Sequence, residues 1–375
     1  MSAAHWRRAM NLQPRRLGQP AGRAAGSGGQ PPRTGRRRFT NPVRPRHVLV
    51  LAVLLAFPWV ATPFFTYQIG AQALALGLIA LSLTFLAGSG GMISLAQMTV
   101  AGLAGYMVAI FGTAATDGVT LGWPWWLAVL IGIVIAVVAA TFIGWLSVRT
   151  EGIYTIMITL AIATAFFYFV RQNYAWFNGF NGFHAVVPPR VLGVYWRDPV
   201  PFYYLTLAVA GFFYLATVYA ERSTFGLSLQ AIRDNPPRMR ALGFDVSAHR
   251  VFAFFLAGLI AGTAGVLLVW FNGQISPGTI SVAAAIDVLV IAVVGGLKRP
   301  VGPYLGAILF VLLKNFAIDL IDAERFNTVI GLAFLLIVLF SPDGILGLWE
   351  RLKASGMSQS LQDSLRSPPA RSGSR

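Results

Sequence analysis

The sequence predicts an all-α integral membrane protein with about ten transmembrane helices. Of its 375 residues, 56% are hydrophobic and 11% are charged, a composition too apolar for a soluble domain to bury beneath a polar surface. No charged residue or histidine occurs between Val48 and Thr116, a stretch long enough for three spans of about 20 residues each. Runs of this length also exclude a β-barrel, whose strands alternate over about ten residues.

Glycine and proline residues divide the apolar runs into candidate spans. The first two spans meet at Thr62-Pro63, and the second ends at the run Gly88-Ser89-Gly90-Gly91. The spans cover residues 48–65, 67–87, 92–112, 124–147, 152–170, 201–220, 251–271, 281–297, 301–320 and 326–341. We therefore expect one transmembrane domain over residues 47–349.

A tail precedes this domain and another follows it. Residues 1–46 contain eleven arginines and no acidic residue among many Gly, Pro, Ser and Gln, and such a segment buries too little apolar surface to fold. We expect a disordered basic cytoplasmic tail here and a second disordered cytoplasmic tail over residues 350–375. The N-terminal tail keeps the N-terminus in the cytoplasm or, alternatively, binds anionic lipid or nucleic acid. We expect contact with membrane lipid and no nucleic acid.

The distribution of Lys and Arg sets the expected orientation, because positively charged connections are retained in the cytoplasm. With the N-terminus inside, 24 of the 29 Lys and Arg residues fall on the inner side. Only Arg171, Arg190, Arg197 and Arg325 fall outside, and Lys314 lies within a span. Both termini are therefore expected in the cytoplasm.

The longest outer connection, residues 171–200, is rich in aromatic residues among Asn, Gly and Pro. Such residues form a docking surface for a soluble partner or an interfacial aromatic belt, and the sequence leaves both interpretations open. His184 has no neighbouring pattern of metal ligands, so we interpret it as an ordinary loop residue.

The longest inner connection, residues 221–250, is predicted to be structured. Residues 228–235 form an amphipathic helix that Pro236-Pro237 ends, and a second turn over residues 238–242 stops at Gly243. A plain connector does not need two short helices, whereas a site moved by a cytosolic motor needs a rigid protrusion. We expect its apolar side chains to fit into a groove of a partner. These side chains are Leu229, Ile232, Met239 and Leu242.

Four stretches of the sequence together point to one known family. The first is the run FG followed by AIRDNPPRMRALG, over residues 225–243, with the helix FLAGLIAGTAGVLL after it. The other three are GMISLAQMTVAGLAG at 91–105, RTEGIYTIMITL at 149–160 and ISPGTISVAAAIDVLVIAVVGGLKRPVGPYL at 275–305. With these motifs the sequence resembles the LivM-type permeases of branched-chain amino acid ABC importers, and the run at 225–243 is similar to the coupling loop of that family. The resemblance covers residues 48–350.

The resemblance implies an ABC importer permease fold in the bacterial cytoplasmic membrane and a subunit that is not an enzyme. It implies a LivH-like permease partner, two cytosolic ATPase subunits and an extracytoplasmic binding protein. It also implies that this chain binds no cofactor, since ATP and Mg²⁺ belong to the ATPases. The residues that the resemblance assigns to the ATPase-coupling loop are Phe225, Gly226, Leu229, Ile232, Arg233, Asp234, Met239, Ala241, Leu242 and Gly243.

The resemblance implies branched-chain or other hydrophobic amino acids as the cargo. Related permeases carry urea, short amides or aromatic acids, and these solutes are the alternatives. The chain also departs from the family at Ala96-Gln97-Met98, where the family usually has Gly-His-Ala.

Candidates for the substrate pathway lie at the break after the second span. Non-helical backbone at membrane depth is tolerated only against protein or a water-filled cavity, so Gly91 is expected to line the pathway. Ser94 and Gln97 follow on the first turns of the next helix, whose N-terminus suits a carboxylate. Asp287 is the fourth candidate, because a charge within a span is costly. Asp287 and Lys314 are expected at similar depths on neighbouring helices, where they can form an ion pair.

Two stripes of small residues are expected to pack helices closely rather than to bind substrate. One stripe contains Ala101, Gly105 and Ala109, and the other contains Ala257, Ala261 and Gly265.

Other classes of function fit the sequence less well. An ion-coupled secondary transporter needs several titratable residues within its spans, and a membrane-embedded enzyme needs a catalytic cluster there. The four histidines, 5, 47, 184 and 249, lie outside the spans or at their edges, and we expect no metal site. No Gly-x-x-x-x-Gly-Lys-Ser/Thr phosphate loop is present, so the chain is not itself an ATPase.

Overall fold

The computed structural model describes residues 45–114, 119–150, 152–191 and 193–320, together with residues 331, 332, 344 and 347. The chain divides within its first helix into a unit that ends at Leu51 and a unit that begins at Ala52. The features below belong to the second unit. The two expected tails and the tenth candidate span, 326–341, lie almost entirely outside the described residues.

Helices account for the apolar runs in the described part of the chain. In chain order the elements are α1 (Pro45–Val60), a π-helical turn (Phe65–Ala71), α2 (Gln72–Gly90), α3 (Gln97–Phe111), α4 (Trp125–Ser147), α5 (Ile153–Gln172), α6 (Tyr174–Phe177), β1 (Phe183–His184), β2 (Arg190–Val191), β3 (Val194–Tyr195), α7 (Pro199–Arg222), α8 (Thr224–Asp234), α9 (Pro236–Ala241), α10 (Val246–Asn272), β4 (Gln274–Ile275), a 3-10 turn (Pro277–Ile280), α11 (Val282–Gly295) and α12 (Gly302–Leu320).

Five of these helices are long and apolar enough to cross a membrane. They are α2 with its π-helical turn, α4, α5, α7 and α10, whereas α3, α11 and the described part of α12 are shorter apolar helices. The expectation of a helical membrane protein is confirmed to this extent. The strands are limited to two antiparallel pairs, β1 with β4 and β2 with β3, in the part of the chain that the structure describes.

The third candidate span begins later than expected. We predicted that it begins near residue 92, but α3 begins at Gln97, whereas α11 begins at Val282, next to the predicted start of the eighth span at residue 281. The residues before each of these helices are not α-helical, and we call them the first re-entrant segment (91–96) and the second re-entrant segment (273–281). Gly91 and Gly273 both have φ +66°, a conformation that favours glycine and ends the helix before it. These two glycines therefore end α2 and α10 and begin the two segments.

α10 and α2 form the interior of the helical bundle. In α2 with its π-helical turn, 78% of the most apolar stretch is buried in the protein, and in α10 the share is 67%, against 22% in α5. α2 and α10 are antiparallel, because Tyr67, before the start of α2, stacks on Phe271, at the end of α10, with ring centroids 4.8 Å apart. The Tyr67 hydroxyl also donates a hydrogen bond of 2.9 Å to the Phe271 carbonyl oxygen.

The small-residue stripes allow α3 and α10 to approach closely, as predicted. A methyl group at Gly265 of α10 would overlap the carbonyl oxygen of Ala101, and one at Gly105 of α3 would overlap the side chain of Val269. Both stripes therefore pack helices against each other, which is their usual role in membrane proteins.

Replacing Gly265 by alanine should destabilise the fold, because the new methyl group meets the backbone of α3. Overpacking of this kind costs about 1–3 kcal/mol. Gly211 of α7 is the matched control, since a methyl group there meets no atom within 4 Å. We expect Gly265→Ala to lower the thermal unfolding midpoint of the detergent-solubilised protein and Gly211→Ala to leave it unchanged or raise it. Equal midpoints for the two variants would contradict the close helix crossing.

Candidate functional site

The connection between α7 and α10 is structured, as predicted. The Ser223 hydroxyl accepts a hydrogen bond of 3.2 Å from the Gly226 amide and begins α8. Asn235 accepts one of 3.0 Å from the Arg238 amide and begins α9, and Gly243 follows α9 with φ +87°. α8 starts earlier than the predicted residue 228, because the Ser223 cap lies five residues upstream. We call α8 and α9 together the α8–α9 loop.

Three of the four apolar side chains that we expected to project from this loop are buried within the chain. Leu229 and Ile232 are fully buried and Met239 is 7% exposed. Leu229 lies beside Gly90 at the end of α2, and Ile232 and Met239 pack with Val246 in a small core. The prediction that these three residues fit into a partner was wrong, because the apolar face of α8 packs against other helices of the same chain.

One of the four expected apolar side chains of this connection is exposed, together with two that were not expected. Leu242 is 66% exposed, as predicted, and Leu227 and Phe244 are 58% and 41% exposed. The amphipathic pattern alone could not find Leu227 and Phe244, because they lie outside the apolar stripe of α8. These three side chains form the exposed apolar surface of the connection.

Two other coupling-loop candidates hold α8 to its neighbours. The Phe225 ring stacks on His249 with centroids 5.9 Å apart and meets Phe252 edge-on at 5.0 Å, both near the start of α10. Gly226 allows a tight turn, because a methyl group there would lie 2.6 Å from the Cα atom of Glu221. Ala241, at the end of α9, is exposed.

α8 contacts the end of α2, where the first re-entrant segment begins. The Arg233 guanidinium donates a hydrogen bond through Nη1 to the carbonyl oxygen of Gly88, and its Nη2 lies 2.9 Å from Asp234 Oδ1. The Ser89 hydroxyl donates a hydrogen bond of 3.4 Å to Glu221 Oε1 at the end of α7. The ends of α2 and α7 and the loop helix α8 thus meet at one place.

From this place the first re-entrant segment turns back among the helices. The Leu95 amide donates a hydrogen bond of 3.2 Å to Thr159 Oγ1 of α5, and Ser82 Oγ lies 3.1 Å from Gln97 Oε1. Ser82 lies eight residues before the end of α2, which corresponds to about 12 Å along the helix axis. α3 therefore begins well inside the bundle, and its preceding backbone is satisfied by protein groups.

Ser94 and Gln97 are enclosed in this conformation. Their exposed fractions are 0% and 1%. The Ser94 hydroxyl accepts a hydrogen bond of 3.3 Å from the Ala96 amide, and Gln97 Oε1 accepts one from the Ser82 hydroxyl. Gly91, at the start of the segment, is exposed. The two polar candidates therefore meet protein rather than an open cavity in this state.

The second re-entrant segment approaches α3 from the other end of the bundle. Its strand β4 pairs with β1 of the α5–α7 connection, with Ile275 opposite Phe183, and both side chains are fully buried. A methyl group at Gly105 of α3 would lie 2.8 Å from Ile275, and one at Gly102 would overlap Ile280. Glycines of α3 thus leave the space that this segment fills.

The expected ion pair between Asp287 and Lys314 is not formed in the structure, because no nitrogen–oxygen contact within 4 Å joins these two side chains. Lys314 instead places Nζ 5.9 Å from the centroid of the Phe310 ring, one turn earlier on α12. Asp287 is half-buried on α11. No group of three or more His, Asp or Glu side chains suited to a metal ion occurs in the described ranges.

The two re-entrant segments share a sequence motif. Gly91-x-Ile93-Ser94 matches Gly273-x-Ile275-Ser276, and the two tripeptides eight residues further on are also similar, 99–101 reading TVA and 281–283 reading SVA. Because α2 and α10 are antiparallel, the two copies lie at opposite ends of the bundle. The repeated motif is the sequence signal by which the second segment could have been found.

Comparison with known proteins finds similarity to branched-chain amino acid transport permeases, both in a family model and in single proteins. A family model described as the permease component of the branched-chain amino acid transport system matches residues 65–339. The chain is 24% identical over 333 residues to the high-affinity branched-chain amino acid transport system permease protein LivM of Escherichia coli, which covers 81% of this chain and 75% of that protein. No solved structure matches the chain.

Two shorter matches come from permeases with other names. A probable branched-chain amino acid transport permease protein LivH of Methanocaldococcus jannaschii is 33% identical over 141 residues, which is 35% of this chain and 44% of that protein. The ribose import permease protein RbsC of Haemophilus influenzae is 25% identical over 171 residues, which is 44% of this chain and 50% of that protein.

The burial of Leu229 predicts opposite effects of one substitution at neighbouring positions of α8. Leu229→Asp places a carboxylate in a fully enclosed apolar site, so we expect loss of folded protein. Leu227→Asp places it on an exposed surface, so we expect a normal yield. Size-exclusion profiles of the detergent-solubilised proteins measure the difference. A normal yield for Leu229→Asp would show that α8 does not pack as described.

Proposed function

We propose that this chain, which belongs to the family of branched-chain amino acid transport permease components, is the membrane subunit of an ATP-driven importer of branched-chain or other hydrophobic amino acids. A permease component is a multi-pass membrane protein that moves a solute and does not itself catalyse a reaction. The energy then comes from two cytosolic ATPase subunits that bind ATP and Mg²⁺.

The observation that carries this proposal is the connection of the α8–α9 loop to the first re-entrant segment. A loop that receives motion from an ATPase must be rigid, must offer an exposed contact surface and must be attached to the pathway. The α8–α9 loop has capped helices, exposed Leu227 and Leu242, and the contact of Arg233 with Gly88. It therefore meets all three requirements.

The mechanism we propose is alternating access. ATP binding draws the two ATPases together, and the ATPases displace the α8–α9 loop. The displacement moves the end of α2 and the first re-entrant segment, and the permease pair exchanges an outward opening for an inward one. Gly91, Ser94 and Gln97 line the pathway in the open states, with Asp287 of α11 as a further candidate. The partial positive charge at the start of α3 suits the carboxylate of an amino acid.

The topology that fits this mechanism has ten spans and both termini in the cytoplasm of a bacterium. The excess of Lys and Arg on one side supports it, because the α8–α9 loop then faces the ATPases. A LivH-like permease pairs with this chain in the membrane. An extracytoplasmic binding protein delivers the solute at the opposite face, where the α5–α7 connection exposes Tyr174, Trp176 and Phe180.

A charge on the exposed surface of the α8–α9 loop should abolish coupling while the protein still folds. We expect Leu227→Asp and Leu242→Asp to stop ATP-dependent uptake in reconstituted vesicles, because a carboxylate does not fit an apolar groove. Val119→Asp is the matched control, since Val119 is 42% exposed in the connection between α3 and α4, outside both the α8–α9 loop and the α5–α7 connection. Wild-type uptake rates in the two loop variants would show that the loop assignment is wrong.

The cargo is tested with the complete transporter and its binding protein. We expect ATP-dependent accumulation of radiolabelled leucine, isoleucine or valine, and no accumulation of urea or ribose at the same concentration. Accumulation of urea, a short amide or an aromatic acid in place of these amino acids would show that the proposed cargo is wrong, while the proposed ATP-driven mechanism would stand. Accumulation driven by a proton or sodium gradient without ATP would contradict the importer class.

A further inference from the structure

Arg233 joins the α8–α9 loop to the last turn of α2. The final carbonyl groups of a helix have no partner within the helix and carry partial negative charge. The guanidinium of Arg233 donates to one of them, that of Gly88. Its Nε also donates a hydrogen bond of 2.9 Å to Asp234 Oδ1, which fixes the plane of the guanidinium.

The aliphatic part of the Arg233 side chain lies over the first residue of the re-entrant segment. A methyl group at Gly91 would lie 2.5 Å from Cγ of Arg233 and 3.3 Å from its Cδ. Gly91 therefore serves two purposes. It adopts the left-handed conformation that ends α2, and it leaves room for the arginine. Leu229 fills the adjacent space beside Gly90.

The second copy of the motif has an arginine in the corresponding place. Gly273 has the same φ as Gly91, and a methyl group there would lie 3.5 Å from Nη2 of Arg197. Arg197 belongs to the connection before α7, at the opposite end of the bundle from Arg233. Each left-handed glycine that starts a re-entrant segment thus lies beneath an arginine from a surface connection. The recurrence at both copies argues against an accidental contact.

We propose that Arg233 is a positioning residue that transmits displacement of α8 to the first re-entrant segment. When α8 moves, the hydrogen bond to Gly88 and the contact with Gly91 move the end of α2 and residues 91–96 with it. Without the guanidinium, α8 slides over α2 and the pathway does not follow the ATPases. This inference rests on the proposed role of the α8–α9 loop in receiving that motion.

The test compares Arg233→Met with Arg222→Met in the complete transporter, reconstituted with its ATPases and binding protein. Methionine keeps an unbranched side chain over Gly91 and loses the hydrogen bond to Gly88. Arg222 carries the same charge at the exposed end of α7, outside the α8–α9 loop. The measured quantity is solute transported per ATP hydrolysed, alongside the yield of assembled complex.

We expect Arg233→Met to assemble and hydrolyse ATP, and to transport about tenfold less solute per ATP, the factor that one charged hydrogen bond implies. Arg233→Lys should recover part of the loss, because it keeps a cation at the end of α2. Arg222→Met should keep the wild-type ratio. A wild-type ratio in Arg233→Met, or an equal loss in Arg222→Met, overturns the inference.

A second variant keeps the inference testable if Arg233→Met does not assemble. Gly91→Ala retains Arg233 but displaces its side chain, and it should lower the transport ratio as well. Gly122→Ala is its control, since Gly122 has φ +62° and a methyl group there meets no atom within 4 Å. An unchanged ratio in Gly91→Ala, or an equal fall in Gly122→Ala, overturns the inference.

These outcomes are separate from a failure of the proposed function. If Leu227→Asp and Leu242→Asp still drive ATP-dependent uptake, the loop does not receive the ATPases and the proposed function fails. If they abolish uptake while Arg233→Met keeps the wild-type ratio, the proposed function stands and the role of Arg233 is wrong.

Discussion

Peptide groups that leave helical geometry between apolar helices must find hydrogen-bond partners within the protein, because lipid offers none. This constraint governs both re-entrant segments. The Leu95 amide donates a hydrogen bond to the Thr159 hydroxyl of α5, and the Ala96 amide donates one to the Ser94 hydroxyl. In the second segment, the backbone of Ile275 pairs with that of Phe183 in a two-residue ladder. Each irregular segment therefore depends on a neighbouring helix or connection for its stability.

This dependence explains why the surface connections of the chain are structured. The α5–α7 connection supplies the strand that pairs with the second segment, and the α8–α9 loop contacts the start of the first. A change in position of either connection alters the surroundings of a segment that has few internal hydrogen bonds of its own. In the proposed transporter, this arrangement lets soluble partners on the two sides of the membrane act on the pathway without entering it.

The sequence is sufficient to predict the helices and the break after α2. It is not sufficient to predict which way the side chains of a helix point. Charge-free runs predict the helices, and the glycine run predicts the break after α2, because both signals are local. The burial of Leu229 and Ile232 could not be predicted in this way. An amphipathic stripe shows that a helix covers something apolar, but it does not show whether that surface belongs to the same chain.

Contacts between residues far apart in the sequence also could not be predicted. Arg233 and Gly88 are separated by 145 residues, and nothing near either residue indicates their hydrogen bond. The expected ion pair of Asp287 with Lys314 relied on equal depth alone, but their side chains make no contact within 4 Å, and Lys314 Nζ lies near the ring of Phe310 on its own helix. The repeated Gly-x-Ile-Ser motif was available in the sequence, and its meaning depends on the antiparallel arrangement of α2 and α10.

The most direct test of this account measures the accessibility of residue 93, in the first re-entrant segment. The chain has no cysteine, so Ile93→Cys introduces the single reactive thiol of this subunit. The complete transporter in sealed vesicles is labelled with a membrane-impermeant thiol reagent from each side, with and without a non-hydrolysable ATP analogue. We expect the nucleotide to change the labelling rate of residue 93. A rate that is the same in both nucleotide states, from both sides, would contradict it.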